Sequence, residues 1–261
     1  MAIVNATPDS FYASSRTQSQ QSVAERVRRV IAEVAAIIDI GGYSSRPDAD
    51  DVSVEEEWSR VDMAVAATRS VSCDIPISVD TFRSEVVRRA YEKYGEIVVN
   101  DITAGLGDEN MLATVAELGL PYIAMHMRGT PQTMQRQTEY GDVVADVMSE
   151  LDERIQAIKT AGIDLKKLAL DPGFGFAKTV EQNYELLAGL HKLKELGLPL
   201  LVGVSRKSMI YKPLGITPDE ALAATQAVHW EALRQGVTLL RVHDVCEAVE
   251  TVKLYEKFTE Q

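Results

Sequence analysis

Leu168-Ala169-Leu170-Asp171-Pro172-Gly173-Phe174-Gly175-Phe176 brings an apolar run, an acid, a proline, two glycines and two phenylalanines together. The run is short and heavily punctuated, which predicts a buried strand entering a tight turn. Pro172 removes a donor and ends the strand, while Gly173 and Gly175 allow a positive φ or close backbone approach. A carboxylate at the end of a buried strand is costly unless donors meet it. Asp171 is therefore either a satisfied turn residue or a carboxylate aimed at a ligand between aromatic walls. Asp80 and Asn100 end two other apolar runs. With Asp171 they offer the acceptors and the amide that would read the edge of a nitrogen heterocycle. Paired acids also suit acid–base or metal chemistry, but no His/Glu cluster at metal spacing accompanies them. Arg241 and His243 lie two apart on a strand, so both face one side, where a guanidinium and an imidazole suit an anion. Ser205-Arg206-Lys207-Ser208 opens a short helix and adds two cations and backbone donors. Arg206 is equally suited to a salt bridge with a strand-end acid.

These residues need elements that bring distant segments to one face. Apolar runs at Ala2–Val4, Ile37–Ile40, Ile77–Val79, Ile97–Val99, Tyr122–Met125, Leu168–Leu170, Leu200–Val204 and Leu239–Val242 read as strands. Amphipathic segments follow them, among them Ser84–Tyr94, Met111–Leu118, about Thr179–Leu196, about Pro218–Gln235 and Val245–Phe258. Another spans about Glu55–Val71, with Ser53 and Glu56 as a capping box. Strand–helix alternation predicts an α/β fold with a parallel sheet, and nearly all-apolar strands predict burial on both faces. Eight units in 261 residues favour a single-domain (β/α)8 barrel over 1–261, with a doubly wound open sheet as the alternative. Asn5, Asp39, Asp80, Asn100, Asp101, His126, Asp171, Ser205, Arg241 and His243 then stand at strand ends, on the face where barrels of this kind carry their sites.

The net charge of −12 argues against nucleic-acid or anionic-membrane partners. No apolar run reaches the ~20 residues of a membrane span. No secretory leader is visible, and Cys73 and Cys246 are isolated, so a reduced, cytoplasmic protein is expected.

The motifs, taken together, resemble dihydropteroate synthases, within a wider family of pterin-binding barrels. They are Asn5-Ala6-Thr7-Pro8-Asp9-Ser10-Phe11, Asp39-Ile40-Gly41-Gly42-Tyr43-Ser44-Ser45-Arg46-Pro47, Ile77-Ser78-Val79-Asp80-Thr81, Val99-Asn100-Asp101-Ile102, Met125-His126-Met127-Arg128-Gly129-Thr130-Pro131-Gln132-Thr133-Met134-Gln135, Asp171 to Phe176, Ser205 to Ser208, and Arg241-Val242-His243-Asp244. They span nearly the whole chain in the family's order. The resemblance implies condensation of a dihydropterin methyl diphosphate with p-aminobenzoate to give 7,8-dihydropteroate and pyrophosphate, by an SN1-like displacement. It implies pterin binding by Asp80, Asn100, Asp171 and Lys207. Asn5, Ser45, Arg241 and His243 would hold pyrophosphate, and Asn5 would stand near Mg2+. Ser45, Arg46, Phe176, Ser205 and Lys207 would shape the aminobenzoate site, the target of sulfonamides. Asp80, Asp171, Lys207, Arg241 and His243 form the implied catalytic set, and a homodimer is the implied assembly. Loops over Thr7–Ser15 and Gly41–Asp51 would act as lids that exclude water.

The sequence also departs from the family's pattern. Ala13 stands where an acid is usual, Tyr43 where a Glu is usual, and Ser45 where a Thr is usual. Ala177 and Val34 replace glycines; at a left-handed position each would be strained by ~1–2 kcal/mol. The usual segment ahead of the first strand is not present in the sequence, which is expected to leave the barrel's bottom less covered. These departures leave a catalytically impaired pterin binder as one alternative. A pterin-dependent methyltransferase of the same fold is another.

Overall fold

A computed structural model describes residues 1–6, 19–44 and 51–260. Eight strands run through it: β1 Ala2–Asn5, β2 Ile38–Gly41, β3 Ile77–Asp80, β4 Val98–Asp101, β5 Tyr122–Met125, β6 Leu168–Asp171, β7 Leu201–Val202 and β8 Leu239–Leu240. The described helices are α1 Gln20–Ala32, α2 Val54–Val71, α3 Ser84–Tyr94, α4 Met111–Leu118, α5 Val143–Thr160, α6 Val180–Ala188, α7 Ser208–Leu214, α8 Leu222–Arg234 and α9 Val245–Thr259. β1 to β6 pair in chain order, all parallel, and β7 pairs with β8. Two bridges join the pieces. Leu170 meets Leu200, and Ala2 meets Val242, where Ile3 N donates to Val242 O and Val242 N to Met1 O, each at 2.9 Å. Neighbours in space are neighbours in sequence all the way round. An open doubly wound sheet would reverse strand order at a switch point, so the (β/α)8 barrel holds.

Alternation along the strands decides what each side chain meets. Ala2, Val4, Ile38, Ile40, Ile77, Val79, Val99, Tyr122, Leu168 and Leu170 join the core shared with the helices. The intervening positions turn into the barrel. Met1, Ile123 and Leu201 pack there, flanked by Ile37, Val98, Ala169 and Leu239. One step further along, the inward positions become Asn5, Asp80, Asn100, Asp171 and Arg241. The strands are apolar outside and at the bottom, and polar only where the barrel opens.

Three expected elements are refined. The stretch expected as one helix over Thr179–Leu196 is α6 followed by a 3-10 segment, Leu190–Leu196. Gly189 separates them because a Cβ there would sit 2.6 Å from Val144 Cγ2 of α5. The stretch over Pro218–Gln235 likewise divides into a 3-10 turn, Pro218–Glu220, and α8. Ser53 does cap α2, accepting from Glu56 N at 3.1 Å, but Glu56 turns to Arg60 at 2.5 Å instead of closing a capping box.

Both glycine replacements fall at left-handed positions, Val34 at φ 68° and Ala177 at φ 50°. Val34 follows the last turn of α1. Val34 N donates to Ile31 O and Ala35 N to Val30 O, each at 2.9 Å, the paired bonds of a Schellman end. Its side chain is 66% exposed, so burial offsets little of the strain. Ala177 is fully buried with Ile102, Met125, Met127 and Met134, so its methyl group offsets strain by packing. Val34→Gly is expected to raise unfolding free energy by about 1 kcal/mol, after the extra freedom of glycine in the unfolded chain is subtracted. Ala177→Gly is expected to be neutral or destabilising, since a buried methyl contributes ~0.8 kcal/mol. Urea midpoints at unchanged slope distinguish the two outcomes.

Candidate active site

The inward polar positions assemble around Arg241. Its Nε donates to Asp39 Oδ2 and its Nη2 to Asp80 Oδ2, each at 2.6 Å. Asp39 is fully buried and also accepts from Asn100 Nδ2 at 3.3 Å. One guanidinium therefore joins β2, β3 and β8, and the Asn100 amide adds β4. Gly41 leaves room beside this group: a Cβ there would lie 3.5 Å from Asn5 Oδ1 and 3.7 Å from Asp80 Oδ2. Asn5 and Asp80 thus flank one open step of the barrel wall.

On the far side the turn after β6 supplies the second half. Asp171 is 6% exposed, and its Oδ1 accepts from Gly173 N at 2.8 Å. Gly173 has φ 71°, and a Cβ on it would come within 2.0 Å of His126 O, so no other residue fits. The Phe174 carbonyl accepts from Lys207 Nζ, which also lies 4.4 Å from the Phe176 ring centroid. Lys207 precedes α7, and Arg206 before it takes φ 55°, a strained turn whose N–H donates to Thr225 Oγ1 at 3.2 Å. Arg206 donates to both Asp244 oxygens, at 2.7 and 2.9 Å, and to the carbonyls of Pro218 and Asp219 at 2.7 Å. Of its two expected roles, the salt bridge is the one formed. Ser205 is buried and accepts from His243 N at 3.2 Å, which sets His243 beside the same turn.

Asn5, Asp80, Asn100, Asp171, Phe176, Ser205, Lys207, Arg241 and His243 thus lie around one barrel mouth. Ser45 and Arg46 lie outside the described residues, as do Ala13, the first expected lid and most of the second. Two strand-end polar residues turn elsewhere. Asp101 accepts from Thr103 N and Oγ1, Gly105 N and Tyr122 Oη, all at 2.7 Å, and so caps its own loop. His126 faces Glu150 and Lys178. Asp39 was legible only as a strand-end acid. The clue to its role was an acid inside an apolar run, which demands a buried cation.

Burial sets the titration of the group. It raises Asp80 to about 7, helped by Asp39, Glu57 and Asp101 and opposed by Arg241. It also raises Asp171, against the pull of Lys207 and the Gly173 amide. Lys207 falls to about 8 through burial and Arg241, with Asp171 and Asp80 holding it up. Burial and Arg241 lower His243 to about 3, so its imidazole is neutral at pH 7. Arg241 stays charged despite burial because Asp39 and Asp80 raise its value. Each half of the mouth offers a carboxylate beside a cationic donor, Asp80 with Arg241 and Asp171 near Lys207, and the Asn100 amide joins the first half. A planar, donor-rich heterocycle and a polyanion are the ligands this pattern accommodates.

The Asp80 carboxyl protonates more readily in the fold than in the unfolded chain, so its contribution to stability declines as pH rises from about 4 towards 7. Asp39→Asn removes one of the neighbouring anions and is expected to move the Asp80 midpoint down. Carboxyl carbon NMR titration of the ligand-free protein checks this; a midpoint that stays or rises would contradict the charge arrangement.

The family described as pterin binding enzyme matches residues 1–243. The dihydropteroate synthase of Escherichia coli K12 is 44% identical over 256 residues, covering 98% of this chain and 90% of that one. Among solved structures, the Yersinia pestis dihydropteroate synthase in a sulfonamide drug complex superposes with a TM-score of 0.95 at 37% identity, covering 100% of this chain and 94% of that one. The Xanthomonas albilineans dihydropteroate synthase with 4-aminobenzoic acid gives a TM-score of 0.89 at 41% identity, covering 99% and 92%. The chain belongs to the pterin binding enzyme family, among its dihydropteroate synthases.

Proposed function

We propose that this barrel condenses a dihydropterin methyl diphosphate with p-aminobenzoate, releasing pyrophosphate and forming 7,8-dihydropteroate for folate synthesis. The observation that carries the reading is the barrel mouth in which Asp80 lies against Arg241 and Asp171 near Lys207, with the Asn100 amide beside Asp39, so that acceptors and cationic donors line one opening. Asp80, Asn100, Asp171 and Lys207 hold the pterin. Its ring N–H groups donate to carboxylates, and such donation favours their ionised form. Asn5, Arg241 and His243 take the diphosphate, with Ser45 from the second loop. Phe176, Ser205 and Lys207, with Ser45 and Arg46, shape the aminobenzoate site; the 4-aminobenzoic acid held by the Xanthomonas albilineans relative supports that substrate.

The C–O bond to the diphosphate breaks first, and the methylene carbon becomes cation-like. Asp80 and Asp171 stabilise that charge from a water-poor site, where fixed charges act strongly. The arylamine nitrogen then forms the new C–N bond and loses a proton, so no protein nucleophile is required. Arg241 remains anchored to Asp39 while it meets the departing anion, which keeps the guanidinium oriented without reorganisation.

Among the described residues no three acidic, His or Cys side chains gather at metal-binding distance. Mg2+ suits such a place, since it commonly takes one or two protein oxygens and completes its shell with phosphates and water. The Asn5 amide oxygen, beside the gap at Gly41, fits that donor set. Bound there with the diphosphate, Mg2+ would neutralise charge on the leaving group.

Pyrophosphate release that needs both p-aminobenzoate and Mg2+, with dihydropteroate in equal amount, is the expected result. Pterin binding with no release under any Mg2+ concentration would instead favour an impaired binder. Asp171→Asn is expected to weaken pterin binding by about ten- to a hundredfold, from loss of charge-assisted hydrogen bonds, with the thermal midpoint little changed. Near-normal turnover in that variant would contradict the assignment.

A further inference from the structure

Lys178, two residues past Phe176, is 4% exposed and aims its ammonium into the protein. Its three donors all find partners at 3.0 Å: His126 Nδ1, the Gly173 carbonyl and the Phe176 carbonyl. The His126 tautomer follows. Nδ1 faces an ammonium and must accept, so the ring proton sits on Nε2 and is donated to Glu150 Oε2 at 3.0 Å. Glu150 Oε1 in turn accepts from Arg128 Nε at 2.9 Å, and Arg128 stacks on Tyr140 with 3.8 Å to the ring centroid. A chain of charge therefore runs from the half-exposed face of α5 to the underside of the turn that follows Asp171.

That turn has little freedom left. Gly173 N is held by Asp171, Gly175 N by Asn183 at 2.7 Å, and the Phe174 carbonyl by Lys207. Lys178 holds the Gly173 and Phe176 carbonyls, and Phe176 N closes the turn onto Gly173 O at 3.1 Å. We propose that Lys178, supported through His126 by Glu150, is a positioning residue for the condensation: it fixes the Gly173–Phe176 backbone so that Asp171, Phe176 and Lys207 are seated together. The assignment rests on the function proposed above, because the roles of those three residues come from it. Lys178 itself touches neither substrate.

The network also sets how the lysine titrates. Burial lowers Lys178 to about 7, and Lys207 and Arg128 push the same way, while Asp171 and Glu150 hold it up. His126 is lowered by burial and stays neutral as the relay. Glu150 falls to about 2: its burial raises it, but hydrogen bonds from His126 and Arg128 outweigh that. Glu150 acts on Lys178, and also on His126 and Arg128, but is not among the groups that shift Lys207, so a change at Glu150 separates Lys178 from Lys207.

The test measures pterin binding and steady-state condensation against pH for the wild type, Lys178→Met, Glu150→Gln and the control Glu153→Gln, which alters an exposed acid of the same helix. Glu150→Gln removes the supporting anion without removing the lysine. It is expected to move the alkaline limb of pterin binding down by about one pH unit, whereas Glu153→Gln leaves it in place. Lys178→Met is expected to lower kcat/KM about a hundredfold, as misplacing reacting groups by about 1 Å does. An unmoved limb in Glu150→Gln overturns the proposal, whether or not Lys178→Met folds, and so does a folded Lys178→Met with wild-type kcat/KM. Absence of condensation in the wild type would instead remove the functional reading on which the proposal stands.

Discussion

The barrel mouth depends on one buried guanidinium. Asp39 and Asp80 both face the interior, and two carboxylates so placed cannot both ionise without a cation between them. Arg241 reaches both, from the strand that closes the ring against β1. The pair Asp39–Arg241 is therefore a constraint on closure as well as on charge: β8 must arrive in register for the guanidinium to lie between β2 and β3. Removing Arg241 leaves Asp39 buried without its cation, which costs far more than the intact pair contributes, whereas removing Asp39 leaves Arg241 paired with Asp80.

That dependence explains why Asp80 remains responsive. Asp39 shares the guanidinium and is fully buried, whereas Asp80 is about one-fifth exposed and lies at the rim. A ligand that donates to Asp80 does not have to break the inner pair. Asp39 orients Arg241, and Asp80 is left as the half of the arrangement that a substrate can engage. The same division recurs on the opposite wall. There Arg206 is consumed by Asp244 and two carbonyls, so that its neighbour Lys207 alone extends over Phe176.

The fold was legible from the sequence because its signal is repeated. Eight apolar runs, each ending in a polar residue, have few other solutions. Boundaries failed where tertiary contact overrides local pattern, as at Gly189, which the approach of α5 requires and which periodicity cannot report. Strand-end position found the residues of the mouth, since polarity at the end of a buried strand has few uses. It could not separate the mouth from its surroundings. Asp101 and His126 carry the same signature as Asp80 and Asp171, yet one caps a loop and the other links Lys178 to Glu150. What distinguishes them is the residue's side of the strand and its partners, and those partners lie on other elements. Glu150 and Lys178 were invisible for that reason: each is unremarkable in its own helix or turn, and their link passes through His126 from a third segment.

The two left-handed residues show how strain is placed. At Val34 the left-handed conformation is demanded by the helix end, the side chain is in solvent, and nothing repays the cost. At Ala177 the same conformation lies inside the methionine cluster that carries the turn after β6, where the methyl group fills space against Met125 and Met127. A glycine at 177 would relieve the backbone but loosen the segment between Phe176 and Lys178, the two residues through which the turn is seated. Strain at that position is thus compatible with order at the site, because the contacts that offset it are the ones that hold Phe176 under Lys207. Replacement of a glycine is by this reasoning no sign of a decayed site when the new side chain packs into the structure that positions the chemistry.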